Sequence, residues 1–160
     1  MIDLDDVERL GAIDKQGMLD HALNLPQTCA DAWELAQETY PNLDLSRLLS
    51  PGSTLTEGRP GPANVQRIII VGMGGSAIGG DLLAALVADE CPCPILVQRG
   101  YDLPAFVDGP ETLVIGSSHS GNTEETLSAF RQARQRGVLL VGHTLDAGQW
   151  YAQVAFDVVV

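Results

Sequence analysis

The stretch Arg67 to Asp81, RIIIVGMGGSAIGGD, is echoed further along the chain by Thr112 to Thr126, TLVIGSSHSGNTEET. In each copy an apolar run short enough to be a buried strand ends in glycine and small hydroxyl residues, and a helical pattern starts directly afterwards. The first backbone N–H groups of a helix lack intrahelical partners, and the aligned peptide dipoles add partial positive charge there. A phosphate can therefore settle at such a turn with little help from cationic side chains, and glycines let the backbone approach it closely. Two turns of this kind point to one divided phosphate site.

Composition narrows the function classes. A chain of 160 residues, 45% hydrophobic, is long enough to bury a core without disulfides or metal, and a single α/β domain is the default. A net charge of −12, with only nine Lys and Arg spread along the chain, argues against nucleic acid, whose binding rests on clustered cations. No apolar run approaches the roughly twenty residues needed to cross a bilayer. Cys29, Cys91 and Cys93 are odd in number, and Met1 to Asp6 lacks the basic and apolar regions of an export signal, so a cytoplasmic, reducing setting is expected. Cys91-Pro92-Cys93 is too tightly spaced for a typical zinc pair and lacks a second Cys or His pair, which leaves it reading as a turn.

Asp14 to Tyr40 carries Met18, Leu19, Ala22, Ala30, Trp33, Leu35 and Ala36 at helical intervals, with Pro26 suited to a first helical turn. Two helices joined near Asn24 are expected. Leu48 to Asn64, rich in Pro and Gly, reads as an irregular connector, so the chain divides into 1–64 and an α/β unit over 65–160. From Arg67 the pattern runs strand, helix (Ser76 to Asp89), strand (Pro94 to Gln98), strand (Thr112 to Gly116), helix (Asn122 to Arg136) and strand (Val138 to Gly142). This alternation predicts a parallel, helix-covered sheet. Asn122 and Glu125 read as a capping box, with Arg131, Arg134 and Arg136 near the other helix end. Gly142 to Gly148 reads as a loop and Val154 to Val160 as a last strand, whose uncovered face suggests a truncated or dimeric molecule.

Gly72 to Ala77 also satisfies the dinucleotide pattern G-x-G-x-x-G/A, so a Rossmann site competes. A site for NAD places an acidic residue about twenty positions on, at the end of the second strand. Val97-Gln98-Arg99 stands there instead, and Arg99 keeps a 2′-phosphate of NADP as an alternative ligand. Dinucleotide binding leaves the second turn unexplained, where Ser117, Ser118, Ser120, Asn122 and Thr123 concentrate short donors. A compact phosphomonoester explains both turns, with Ser76, Ser118, Ser120 and Thr123 as the candidate phosphate-binding residues. Caps and tight turns alone account for Asn122 or Thr123 singly. The chain lacks the Gly-Lys-Ser/Thr of a nucleotide-binding P-loop, and its second turn lacks the closing glycine of a G-x-S-x-G nucleophile elbow. His119 is open to a binding role, whereas His21 and His143 read as structural.

GMGGSAIGGD and SHSGNTEET, with Gly17-Met18-Leu19, Leu25-Pro26-Gln27 and Arg99 to Pro104, resemble the sugar isomerase (SIS) domain. Within that superfamily the likeness is to the N-terminal half of bifunctional phosphoglucose/phosphomannose isomerases. The resemblance implies a flavodoxin-like, three-layer α/β domain with a parallel sheet of about five strands covered by helices and preceded by two N-terminal helices. It implies that Ser76, Ser118, Ser120 and Thr123 hold the phosphate and that Gly74 and Gly75 line the sugar. It implies a sugar 6-phosphate as ligand, a homodimer, and neither redox cofactor nor metal.

Members of the family interconvert glucose 6-phosphate or mannose 6-phosphate with fructose 6-phosphate through an enediolate. Such chemistry requires a base at the C2 proton, a ring-opening group and positive charge near the enediolate. The family places its catalytic Glu and His in a second SIS domain and its Arg after the last strand of the first, so no residue here is assigned a catalytic role. Asp81, Glu124 and Glu125 suit helix first turns and solvated faces. Gly142 to Trp150 is bulkier than the small loop usual in related domains. A stand-alone phosphosugar-sensing module without turnover is the rival reading.

Overall fold

The computed structural model describes residues 5–39, 65–144 and 158–159. The connector at 48–64, residues 145–148 of the expected loop and most of the expected strand over 154–160 lie outside these residues, while Gly142 and His143, expected to open that loop, continue the strand Leu139–His143. By its internal contacts the chain divides into two compact units, Met1–Leu43 and Asp44–Val160.

The first unit is helical, with α1 (Val7–Ile13), α2 (Met18–Leu23) and α3 (Leu25–Thr39). The two expected helices are α2 and α3, joined at Asn24 as the pattern requires, and α1 is an additional one. Asp14 joins α1 to α2. Its backbone N–H donates to the Leu10 carbonyl, ending α1, while its carboxylate accepts from the backbone N–H of Met18 (2.8 Å) and Leu19 (2.7 Å). These are two of the donors that a helix start leaves unpaired, and they hold the Asp14 carboxyl below its ordinary range.

The second unit alternates β1 (Arg67–Val71), α4 (Gly74–Leu86), β2 (Ile95–Gln98), β3 (Thr112–Ser117), α5 (Glu124–Gln135), β4 (Leu139–His143) and β5 (Val158–Val159). All strand pairs are parallel, and the sheet order is β2-β1-β3-β4-β5. This is the doubly wound order of the flavodoxin-like class, in which the chain moves outward in opposite directions from a switch point between β1 and β3.

Residues alternate between the two faces of each strand. Ile69, Val71, Val114 and Leu140 join Leu127, Phe130 and Ala133 of α5 in the main buried cluster. Ile68, Leu113, Ile115, Leu139 and Val141 make a smaller cluster from the alternate strand positions. Helix α4 comes down on the sheet at Gly80, where a Cβ would lie 2.9 Å from Ile70 Cγ2 and 3.3 Å from Val97 Cγ2. Only hydrogen fits there, so the glycine sets how closely α4 can lie against β1 and β2. Among the described residues no helix is long and apolar enough to cross a membrane.

The segment between β2 and β3 is pinned from α5. Arg136 donates to the carbonyls of Leu103 (3.3 Å), Pro104 (2.7 Å) and Val107 (3.1 Å). Gln132 accepts from the Leu103 N–H and donates to the Tyr101 carbonyl. A run without regular structure thereby has several of its backbone polar groups satisfied by Gln132 of α5 and by Arg136 at the helix C-cap.

Candidate functional site

Because the strands are parallel, the turns after β1 and β3 emerge at the same sheet edge, beside the switch point, where open α/β sheets bind ligands. Their closeness is atomic. A Cβ on Gly72 would stand 3.0 Å from the Ser117 carbonyl oxygen and 3.3 Å from the Ala77 nitrogen. Glycine at this position lets the two turns touch, so the sequence echo becomes one locus.

Both helices that leave this edge begin without a side-chain cap. Met73 and Thr123 occupy the N-cap positions in extended conformation, at φ −125°, ψ 154° and φ −72°, ψ 119°, and neither side chain bonds its own helix start. A helix start without a side-chain acceptor retains its affinity for an anion. The two starts differ in charge. Glu124 and Glu125 fill the first turn of α5, whereas the first turn of α4 holds no acidic residue. Coulomb repulsion from those carboxylates makes the start of α5 the less favourable of the two for an anion.

The expected capping box of Asn122 and Glu125 does not form, since Thr123 rather than Asn122 stands at the N-cap of α5 and its side chain makes no cap bond. The Thr123 hydroxyl turns instead to Ser118, with Oγ1 and Oγ 2.9 Å apart. Ser118 is buried, its N–H donating to the His143 carbonyl and its own carbonyl accepting from Gly121 N–H. Ser120 is exposed and accepts from the Asn122 N–H at 3.3 Å.

A cleft of about 480 Å³ opens at this edge, lined by Gly75, Ser76, Gly79, Ser117, His119 and His143. Of the expected residues, Gly75 and Ser76 lie in its wall. Buried Ser118 and half-buried Thr123 form the hydroxyl pair in the adjoining turn, Ser120 stands out in solvent, and Gly74 is the exposed first residue of α4. Ser117, one of the short donors of the second turn but not among the candidate phosphate residues, and His143, expected to be structural, are wall residues as well. They are register partners at the ends of β3 and β4, a relation visible only once the strands are paired.

The site of the dinucleotide alternative is occupied otherwise. The Arg99 guanidinium is ion-paired with the Asp81 carboxylate of α4, which takes up the charge that a 2′-phosphate would need. Nearby, the Tyr101 hydroxyl donates to Glu124, and the charge of Glu125, ahead of partial burial and Glu124, raises the phenol above its usual range.

No protein-family model matches the chain. A bifunctional phosphoglucose/phosphomannose isomerase of Caldicellulosiruptor bescii is 39% identical over 127 residues, covering 79% of this chain and 32% of that protein. One of the same name from Thermoplasma volcanium is 35% identical over 94 residues, covering 59% of this chain and 29% of that protein. Among solved structures, a candidate phosphosugar isomerase from Salmonella typhimurium LT2 superposes with a TM-score of 0.53 at 24% identity, over 61% of this chain and 30% of that one, a likeness of fold. The chain spans about a third of the length of these curated relatives. With its doubly wound sheet and paired turns, the chain carries a sugar isomerase (SIS) domain that resembles part of the bifunctional phosphoglucose/phosphomannose isomerases.

Proposed function

We propose that this domain binds a sugar 6-phosphate and forms the SIS portion of an aldose–ketose isomerase acting on glucose 6-phosphate or mannose 6-phosphate. The observation that carries the reading is the meeting of two helix starts without side-chain caps at the β1/β3 switch point, with hydroxyls of Ser76, Ser118 and Thr123 around them. Backbone N–H groups of the α4 turn and these hydroxyls bind the phosphate oxygens. Ser120 joins them once the exposed turn folds over the ligand. Gly74 and Gly75 leave room for the sugar, and Ser117, His119 and His143 face its hydroxyls across the cleft.

In this reading the protein's net charge of −12 does not oppose ligand binding, because the phosphate is held by local dipoles and hydroxyls rather than by a basic surface. The isomerisation itself requires a base and a ring-opening acid, which no described residue is assigned to supply. The relatives' names support the reaction class for the longer proteins, and the domain here provides the phosphate grip and one wall of the cleft.

We further infer a homodimer in the cytoplasm. On α4, Ile78, Leu82 and Leu86 recur every fourth residue and are 54%, 55% and 81% exposed. The same apolar stripe on a second copy matches it in polarity. A light-scattering mass of two chains supports this pairing, and a single-chain mass at all concentrations rejects it.

Titration calorimetry with glucose 6-phosphate and fructose 6-phosphate, against inorganic phosphate and NADPH, tests the ligand. Sugar phosphates binding above inorganic phosphate are expected. Binding of NADPH alone overturns the proposal.

A further inference from the structure

At the far end of α4 from the cleft, Cys91 and Cys93 place their sulfur atoms 3.8 Å apart. The contact belongs to the folded chain and does not follow from sequence adjacency alone. The Cys91 N–H donates to the Val87 carbonyl at 2.8 Å, extending the helix exit, while Pro94, next after Cys93, accepts from the Ile68 N–H of β1 at 3.0 Å. The two ends of the Cys-Pro-Cys segment are thereby fixed, one to the helix and one to the sheet. Pro92 removes backbone freedom between them.

Both thiols are only half-buried and border a cavity of about 330 Å³ with Ala84, Val87 and Ile95 on its walls, which gives a small reagent access. Burial, and after it the bond from Cys91, raises the Cys93 thiol above its ordinary range. That favours Cys93 as the group that closes a ring by intramolecular attack over one that competes for reagent in solution.

We propose that Cys91 and Cys93 form a dithiol site that small-molecule disulfides oxidise reversibly to an intramolecular disulfide. The Cys91 thiolate attacks one sulfur of the reagent disulfide, forming a mixed disulfide and releasing one reagent thiolate. Cys93, giving up its proton, then attacks the Cys91 sulfur and expels the second reagent thiol. Two protein thiols are oxidised, one disulfide is reduced to two thiols, and no other oxidant enters. The sulfurs must move together from 3.8 Å to the bonded distance of about 2 Å. The segment between the α4 exit and β2 absorbs that movement, remote from the Gly74–Ser76 turn.

Cys29, exposed on α3 and without a neighbouring thiol among the described residues, is the internal comparison. The intact chain is incubated with oxidised glutathione, acid-quenched, alkylated and cleaved after Arg and Lys without reduction. Cys91 and Cys93 then fall in one peptide, Ile68 to Arg99, and Cys29 in another, Gln16 to Arg47. The expected result is loss of about two mass units from the first peptide, restored by dithiothreitol, and a glutathione adduct on the second. Cys93→Ser leaves Cys91 holding a stable glutathione adduct. Stable adducts on the wild-type Cys91 or Cys93 without ring closure overturn the proposal, as does an unchanged first peptide under conditions that fully modify Cys29. The wild-type map decides the matter even if the variant fails to fold.

Discussion

The hydroxyl oxygens of Ser118 and Thr123 lie 2.9 Å apart, with Ser118 only 2% exposed. Within such a pair one hydroxyl donates to the other, which leaves the acceptor's own proton available for a ligand oxygen. The pair thus fixes the orientation of the second turn before any ligand arrives. Ser118→Ala combined with Ser120→Ala is expected to weaken sugar-phosphate affinity by on the order of 1–3 kcal/mol, the usual scale for lost charge-assisted bonds. Calorimetric titration reads the loss, and unchanged heats reject the phosphate assignment.

Gly75 and Gly116 separate function from stability. A Cβ on Gly116 would sit 1.6 Å from Phe130 Cε2, in the buried core beneath the second turn, whereas a Cβ on Gly75 meets nothing within 4 Å. Gly116→Ala is expected to destabilise the fold by about 3 kcal/mol or more, since the ring it would displace is fully buried. Gly75→Ala replaces a helical glycine and should hold or raise the melting temperature. Its methyl group enters the cleft wall, however, so sugar-phosphate affinity should fall. Thermal unfolding and titration of both variants check the contrast, and a stable Gly116→Ala variant would contradict the packing.

The parallel sheet was open to reading because short apolar runs alternate with helical patterns, a signal that survives without tertiary knowledge, whereas the strand order is set by pairings that no local pattern encodes. The helix starts were less so. Ser76 looks like the start of its helix because glycine is a poor helix former, yet α4 opens at Gly74, where contact of the two turns and the fit of Gly80 against Ile70 override propensity. Asn122 and Glu125 look like a capping box, but the cap is Thr123, whose hydroxyl is drawn to a residue five positions back. Helix α1 is too short for periodicity to show. Its available signal was Asp6, whose carboxylate accepts from the Arg9 N–H, with Glu8 in the first turn. His143 enters the cleft wall through strand register with Ser117, which no local pattern encodes.

Arg136 bonds three carbonyls of the segment after β2, and no second cation replaces it there among the hydrogen bonds those carbonyls make. Arg136→Met keeps most of the side-chain volume but takes the guanidinium donor from the Leu103 and Val107 carbonyls, while the Pro104 carbonyl keeps its bond from the Val107 N–H. A loss of roughly 2–3 kcal/mol is expected, read as a lower denaturation midpoint with an unchanged slope. Arg136→Lys should recover only part of it, since one ammonium cannot reproduce the planar fork that reaches Leu103, Pro104 and Val107 together. Full recovery by lysine would mean that charge near the end of α5, and not the fork, sustains the segment.

The Asp14 carboxylate gives the helical unit a pH dependence whose sign is fixed by its two bonds. Met18 N–H and Leu19 N–H donate to the ionised form, so the folded state holds the carboxyl below its ordinary value of 3.8. A depressed folded value stabilises the fold above the unfolded pKa, and that contribution disappears as pH falls through the folded one. The cap of α2 should therefore persist through the mildly acidic range and fail only below pH 3.8. Amide proton shifts of Met18 and Leu19 followed by NMR should titrate together with a midpoint below that value. In Asp14→Asn, which keeps an oxygen acceptor but carries no titrating proton, the same shifts should stay flat. A midpoint at or above 3.8, or a transition surviving in the Asn variant, would show that another group controls the start of α2.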